Sequence, residues 1–386
     1  MNIQERAEDV IAQGCTTYSK RNDQFIRGVH PTHVTGGKGA CLHFGDKWLV
    51  DHTCGLGSTL ISCNNNYGLP HENEVLLAEM IRDRVKCIDK LKFLKTGTCA
   101  TSAAVRIARA YHQNEFGSHK LECRGVGTGY HGTNNYSIAA EQPGTGTFPE
   151  GYTKVPFDKL IQEITYKKDH YKYCIIEPVE LDYNVKYQLM ELRELCIKYN
   201  IILIFDEVIT GGRFLDYCVS NHFDIQPDIM CLGKALGNGY PLSVVGGKKE
   251  IMDTPDYFIS STFAGEHSAI NEAIQVLNVI SNDDIKELWE RGEWYQEEFN
   301  KLSTRIQLKG YPTRAVWDGD ETYVAIFHQE MFKRGYLLGK AWWVMFAHSR
   351  KILEKELLDS KEVIERMESG GVGLEGKLPE MIFKRN

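Results

Sequence analysis

Residues 201–241 read IILIFDEVITGGRFLDYCVSNHFDIQPDIMCLGKALGNGYP. Ile201–Phe205 is apolar, rich in β-branched residues and too short for a helix. Asp228–Leu232 (DIMCL) is a second such run. The first runs into Asp206 and Glu207, the second into Gly233 and Lys234. Upstream, Tyr173–Glu177 (YCIIE) is a third short run that ends in a carboxylate. Between it and Ile201, residues Leu189, Leu192, Leu195, Cys196 and Tyr199 recur near helical spacing. Apolar strands alternating with amphipathic helices predict an α/β fold with a mainly parallel sheet covered on both faces. Ligands of such sheets bind beyond the carboxyl ends of the strands. Glu177, Asp206, Glu207 and Lys234 are therefore the first residues to weigh.

Each of these has a chemical use and an ordinary one. A lysine among glycines at a strand end is poorly solvated, which frees its amine to attack a carbonyl; the same residue also reads as a surface lysine in a loop. Asp206, at the end of a buried strand, needs a cationic or hydrogen-bonding partner. That partner is a protonated ring nitrogen of a cofactor, a helix N-terminus or Arg213.

Further out, KTGTCATSAAVRIARAY spans Lys95–Tyr111. Leu91–Leu94 reads as a strand. Ala104, Ile107, Ala108 and Tyr111 then fall on one helical face. The turn between them holds Thr96, Gly97 and Thr98. Free N–H groups, a hydroxyl and the positive end of a helix make a phosphate site there, or an ordinary N-cap. No Gly-Lys-Ser/Thr follows, so this is not a Walker motif. In GVGTGYHGTNN, Tyr130 and His131 sit in a glycine-rich loop, where a planar side chain can stack on a ring or simply occupy a turn. The glycines do not form a dinucleotide fingerprint.

Towards the C-terminus the pattern changes. Asp283–Ser303 and Ser349–Glu368 read as charged helices, with Tyr323–Phe327 as a strand between them. CLHFGDKWLVD, from Cys41, reads as a hairpin, and the glycines at 370–376 as a loose tail. The expected division is residues 1–50 as an N-terminal segment contributing to a small α+β domain, 51–275 as a large domain, and 276–386 as the small domain.

The 386 residues carry 45 basic and 52 acidic side chains, for a net charge of −7. That balance argues against nucleic acid or an anionic membrane as the main partner. Apolar residues make up 42% and charged residues 25%, ordinary for a globular chain. No apolar run is long enough to span a membrane, and the first residues do not read as a secretory signal. The 11 cysteines show no paired spacing. They read as reduced thiols in a cytoplasmic protein, with no metal site expected.

The segments KTGTCATSAAVRIARAYH, GYHG, CIIEPV, LIFDEVITGGRF, CLGKALGNGYPLSVVGGKKEIM and STFAGEHSA occur in this order, with Asp206 and Lys234 separated by 28 positions. Together they resemble the class III pyridoxal-phosphate aminotransferases, in the branch of glutamate-1-semialdehyde 2,1-aminomutase. The resemblance runs from about Val29 to Arg366. It implies a fold-type-I transferase with pyridoxal 5'-phosphate as cofactor. Lys234 would carry the cofactor and, once displaced by a substrate amine, move the proton at the substrate carbon. Asp206 would hold the ring nitrogen protonated. Gly97 and Thr98 would hold the phosphate and Tyr130, next to His131, would stack on the ring. Glu177 and Glu207 occupy the acidic positions near cofactor and lysine. Thr262 matches a position that reaches the phosphate of a neighbouring subunit, which implies a homodimer with shared active sites.

The resemblance also has departures. The aminomutases carry an arginine near the N-terminus that clamps the substrate carboxylate, where this chain has His33. Gly212 replaces an aromatic residue in TGFR. The stretch NNYSIAAEQPGTGTFPEG, where the aminomutases have a gate, is short and rewritten. The expected activity is therefore transamination between an amino donor such as glutamate and an aldehyde or keto acceptor, a sugar-derived one included. Intramolecular amino transfer of the aminomutase kind is the alternative. A non-catalytic binding protein on the same fold is the remote one, which the costly Lys234 and Asp206 pair argues against.

Overall fold

The computed structural model describes residues 1–63, 65–117, 123–133, 151–180, 182–255 and 257–378. The segment at 134–150, the expected gate, lies outside them.

The chain divides into two units. The first comprises Met1–Pro178, Tyr187–Gly212 and Tyr217–Ser281. The second comprises Val179–Lys186, Arg213–Asp216 and Asn282–Asn386.

In the first unit, strands β1 (Gly36–Lys38), β2 (Cys41–Phe44) and β3 (Lys47–Val50) form an antiparallel meander that contains the expected hairpin. A seven-stranded sheet follows, in the order β4-β10-β9-β8-β7-β5-β6. Its strands are β4 (Lys90–Leu94), β5 (Arg124–Thr128), β6 (Tyr152–Lys154), β7 (Tyr171–Ile176), β8 (Ile202–Asp206), β9 (Ile229–Leu232) and β10 (Ser243–Gly247). β10 runs antiparallel to both its neighbours and the other strands run parallel to one another. Every residue of β4, β8, β9 and β10 is buried, the mark of strands covered on both faces. The helix Gly97–Phe116 turns Ala104, Ile107 and Ala108 into the core that holds Ile175, Ile204, Cys231 and Val245. Because six strands share one direction, the residues after β4, β5, β7, β8 and β9 emerge along one edge of the sheet.

Residues 1–50 belong to this first unit, not to the smaller one as expected. The cause is local. Lys92 on β4 is fully buried and donates to the Cys15 carbonyl at 2.8 Å, Ile11 bridges Leu91, and Arg6 binds Glu79.

In the second unit, β11 (Ile306–Tyr311), β12 (Arg314–Gly319) and β13 (Ala341–Trp343) form an antiparallel sheet. It packs with the helices Asn282–Asn300, Glu321–Lys333 and Arg350–Glu368 around Tyr295, Phe299, Phe327 and Trp342. Tyr323–Phe327 is helical, not a strand, because Asp320 caps the helix by accepting from the Tyr323 N–H at 3.0 Å. The glycine-rich tail is tied down: Gln329 bonds both the Gly373 carbonyl and the Glu375 N–H.

All 11 cysteines are free thiols. Among the described residues, no helix is long and apolar enough to cross a membrane, and no group of three His, Cys, Asp or Glu side chains is gathered as a metal site.

Candidate active site

The site lies along the carboxyl edge of the large sheet. β8 and β9 run in register with Asp206 opposite Cys231, and the Glu207 N–H donates to the Cys231 carbonyl at 2.9 Å. That fixes Asp206 three residues short of Lys234 on the neighbouring strand. Gly233 is extended, and Lys234 then begins a single turn of 3-10 helix with φ of +42°. A side chain with a Cβ is held there only against a steric cost of order 1–3 kcal/mol, a strain found mostly at functional positions.

Asp206 is buried, and both its oxygens accept hydrogen bonds. Oδ1 takes the Val208 N–H at 3.1 Å and Oδ2 faces His131 Nδ1 at 2.9 Å. The other ring nitrogen, Nε2, faces the Thr128 carbonyl at 2.8 Å. Carboxylate and carbonyl oxygens only accept, so both ring nitrogens must donate and His131 is an imidazolium. Burial works against that charge, but the Asp206 carboxylate outweighs it and holds the His131 pKa above its ordinary value. Asp206 is thereby anchored at both oxygens, each with a lone pair left for a further donor.

Glu177 stands after β7 and accepts from the Tyr130 N–H at 2.9 Å, so it fixes the backbone that presents Tyr130, whose ring is 42% exposed. The turn is closely built. Gly129 has φ of +102°, and a Cβ there would come within 2.8 Å of Glu177 Oε2. Gly132 has φ of +97°, and its Cβ would run into Thr98. Thr98 in turn accepts from the Thr133 N–H at 3.2 Å, and Thr96 caps the helix at the Cys99 N–H. Ser243 on β10 donates to the Thr96 carbonyl at 2.7 Å, pinning the turn to the sheet. The first N–H groups of this 20-residue helix, at Gly97 and Thr98, have no carbonyl within the helix to bond.

Glu207 does not join this group. Expected among the catalytic residues, it is fully buried. It accepts from the Val219 and Ser220 N–H groups at 2.7 and 2.9 Å and from the Thr210 hydroxyl at 2.8 Å. Burial pushes its pKa up. Its carboxylate holds the loop that follows β8.

His33 is only 2% exposed, and its Nε2 is buried without a partner. Burial, with His71 nearby, pulls its pKa down to about 4. It is neutral at neutral pH and cannot serve as a cationic clamp.

Around Thr262 the structure adds residues with no sequence signal. Asn66 Nδ2 donates to the Thr262 carbonyl at 3.0 Å, buried Lys20 donates to Asn66 Oδ1 at 3.0 Å, and Lys95 pairs with Glu266 at 3.3 Å. No motif marks Lys20 or Asn66, because they come together only when segments 46 and 196 positions apart meet.

Residues 58–308 match the family model described as Aminotransferase class-III. The chain belongs to the class III aminotransferases. It is 28% identical over 353 residues to glutamate-1-semialdehyde 2,1-aminomutase of Thermodesulfovibrio yellowstonii, covering 80% of this chain and 81% of that one. It is 26% identical to the aminomutase of the same name from Clostridium novyi, covering 88% and 92%. Among solved structures it is similar in fold to an omega-transaminase from Sphaerobacter thermophilus, with a TM-score of 0.69, 20% identity, and coverage of 94% and 96%. The ornithine aminotransferase of Toxoplasma gondii gives 0.67, 18%, and 90% and 94%. This class III aminotransferase is thus a pyridoxal-phosphate-dependent enzyme of the aminotransferase or aminomutase kind on an α/β, fold-type-I framework.

The residues present suit that cofactor. The helix N-terminus with Thr98 suits a phosphate, and the exposed Tyr130 suits a ring face. The anchored Asp206 suits a protonated ring nitrogen, and Lys234 supplies the amine. The cradle of Gly129 and Gly132 is one that any added Cβ would fill.

Proposed function

We propose that this enzyme is a transaminase which moves an amino group from a donor, glutamate being the first to test, to a polar aldehyde or keto acceptor, a sugar-derived one included. The observation that carries this reading over the aminomutase alternative is His33. An aminomutase must hold a small amino aldehyde by its carboxylate in one orientation. A buried neutral imidazole provides no such charge, whereas an arginine makes a charge-assisted fork.

Pyridoxal phosphate, when bound, supplies an aldehyde that accepts the amino group and a ring that takes up the electrons left on carbon. The chain's own residues do the rest. Lys234 Nζ would hold the cofactor and would carry the proton at the substrate carbon. Asp206 would face the ring N–H, with His131 fixing its position. The N–H groups of Gly97 and Thr98, with the Thr98 hydroxyl, bind the phosphate. Glu177 keeps Tyr130 in place from behind.

The working unit is a homodimer in which Thr262 of each subunit reaches the other's phosphate. Support comes from Leu60 and Ile61, which are 98% and 96% exposed in the single chain and need a covering surface. The enzyme is placed in the cytoplasm, in keeping with its 11 free thiols.

A screen of amino donors against carbonyl acceptors with purified enzyme tests the reading. Turnover that requires an added acceptor is expected. Efficient conversion of glutamate-1-semialdehyde to 5-aminolevulinate without one would establish the aminomutase instead.

A further inference from the structure

The loop that carries Thr262 is tied to two segments far away in the chain. The Thr17 hydroxyl donates to the Ser261 carbonyl at 3.0 Å, and Asn66 Nδ2 donates to the Thr262 carbonyl at 3.0 Å. At the end of the loop the His267 N–H donates to the Asn65 carbonyl at 2.8 Å, and Glu266 takes up both Asn65 Nδ2 and Lys95. Asn66 is the central member. It is 3% exposed, and the same nitrogen also meets Ser58 Oγ at 2.7 Å and the Gly55 carbonyl at 3.3 Å. These contacts hold only while the nitrogen of the amide, and not its oxygen, points at Thr262. Lys20 sets that orientation. An ammonium only donates, and Lys20 Nζ meets the other arm of the amide at 3.0 Å, so that arm must be the oxygen. Lys20 is itself buried, and burial pulls its pKa down against the charge of Glu74. Glu74 is buried directly beneath the loop, where a Cβ at Gly265 would run into its carboxylate. Buried charges of this kind often add no stability over apolar side chains of the same volume. The place of Lys20 therefore calls for another account, and the contact it makes with Asn66 supplies one.

We propose that Lys20 and Asn66 are positioning residues for the cofactor's phosphate: Lys20 orients the Asn66 amide, and Asn66 holds the backbone of Thr262. Their role rests on the reading above in which Thr262 reaches the phosphate of the neighbouring subunit.

The test is retention of pyridoxal phosphate by full-length holoenzyme on dilution, followed by its visible absorbance. Asn66→Asp keeps the shape and the Lys20 contact but turns both donors into an acceptor, which leaves the Thr262 carbonyl facing a carboxylate. It should raise the apparent dissociation constant of the cofactor about tenfold, as the loss of a buried hydrogen bond implies. Lys20→Met fills the same space without the charge and should raise it by a smaller factor, with circular dichroism unchanged. Thr262→Val is the reference, since it removes the hydroxyl and keeps the carbonyl. If Asn66 and Lys20 act through Thr262, Asn66→Asp and Lys20→Met should each add little once Thr262 is already valine. A general loosening of the fold would instead add in full. Should Asn66→Asp fail to fold, the Lys20→Met pair of measurements gives the same comparison. Full retention in Asn66→Asp and Lys20→Met, with retention impaired in Thr262→Val, would overturn the proposal and keep the shared phosphate site. Losses that add in full would overturn it too. Full retention in Thr262→Val would remove the shared site, and the positioning role with it.

Discussion

His131 and Lys234 carry the sharpest expectations at the level of single residues. Removing the imidazolium leaves Asp206 buried with one charged donor fewer. A hydrogen bond to a charged group contributes roughly 1.5–3 kcal/mol, or about a 10- to 100-fold change in rate. His131→Asn should therefore keep the cofactor but lose turnover by about that factor, and the pH midpoint of the cofactor's visible band should move. An unchanged midpoint with near-normal turnover would mean that Asp206 does not depend on this ring. Lys234 is tested covalently. Borohydride reduction followed by peptide mapping should find the pyridoxyl group on Lys234, and Lys234→Ala should lose all turnover. A label on another lysine would reassign the site.

Short elements set how much was readable in advance. Strands β7, β8 and β9 were legible because buried parallel strands leave continuous apolar runs, and their ends gave Glu177, Asp206 and Lys234. The role of Glu207 was not legible. Its partners are backbone N–H groups of the short helix Val219–Phe223, which carry no side-chain signature. Tyr323–Phe327 misled because a continuous run of five apolar residues fits both a buried strand and a helix, and the Asp320 cap decided the matter. The turn after β5 yields a prediction of its own. Gly132→Ala must hold a Cβ at φ of +97° against Thr98, an overpacking cost of roughly 1–3 kcal/mol. Cofactor titration followed by absorbance should show weakened binding, while circular dichroism shows an intact fold. Undiminished cofactor affinity would mean that this turn yields without disturbing the phosphate cradle.

For the whole molecule, buried histidines set the response to acid. His33, His71 and His112 are buried, and burial pulls each down to about 4 from an ordinary value of 6.5. The unfolded chain therefore binds more protons than the folded one between those values. The stability these three histidines contribute is complete above about pH 6.5 and falls as pH drops towards 4, whereas His131, held above its ordinary value, works in the opposite direction. Urea melts from pH 7.5 to 4.5 should show that decline, and His33→Phe should flatten part of it; an unaltered slope would mean that His33 charges without cost. Sedimentation at assay concentrations checks assembly, where a fully active monomer would exclude a shared phosphate site. The sheet order carries a further consequence. β4 lies at the edge of the sheet, held there by β10, whose Ser243 pairs with Leu94 across 149 positions of chain. A nascent polypeptide on the ribosome therefore exposes β4 and its phosphate turn long before the strand that anchors them has been synthesised. Until Ser243–Gly247 emerges, that edge is open to mispairing, and the half-made enzyme has no fixed seat for its cofactor.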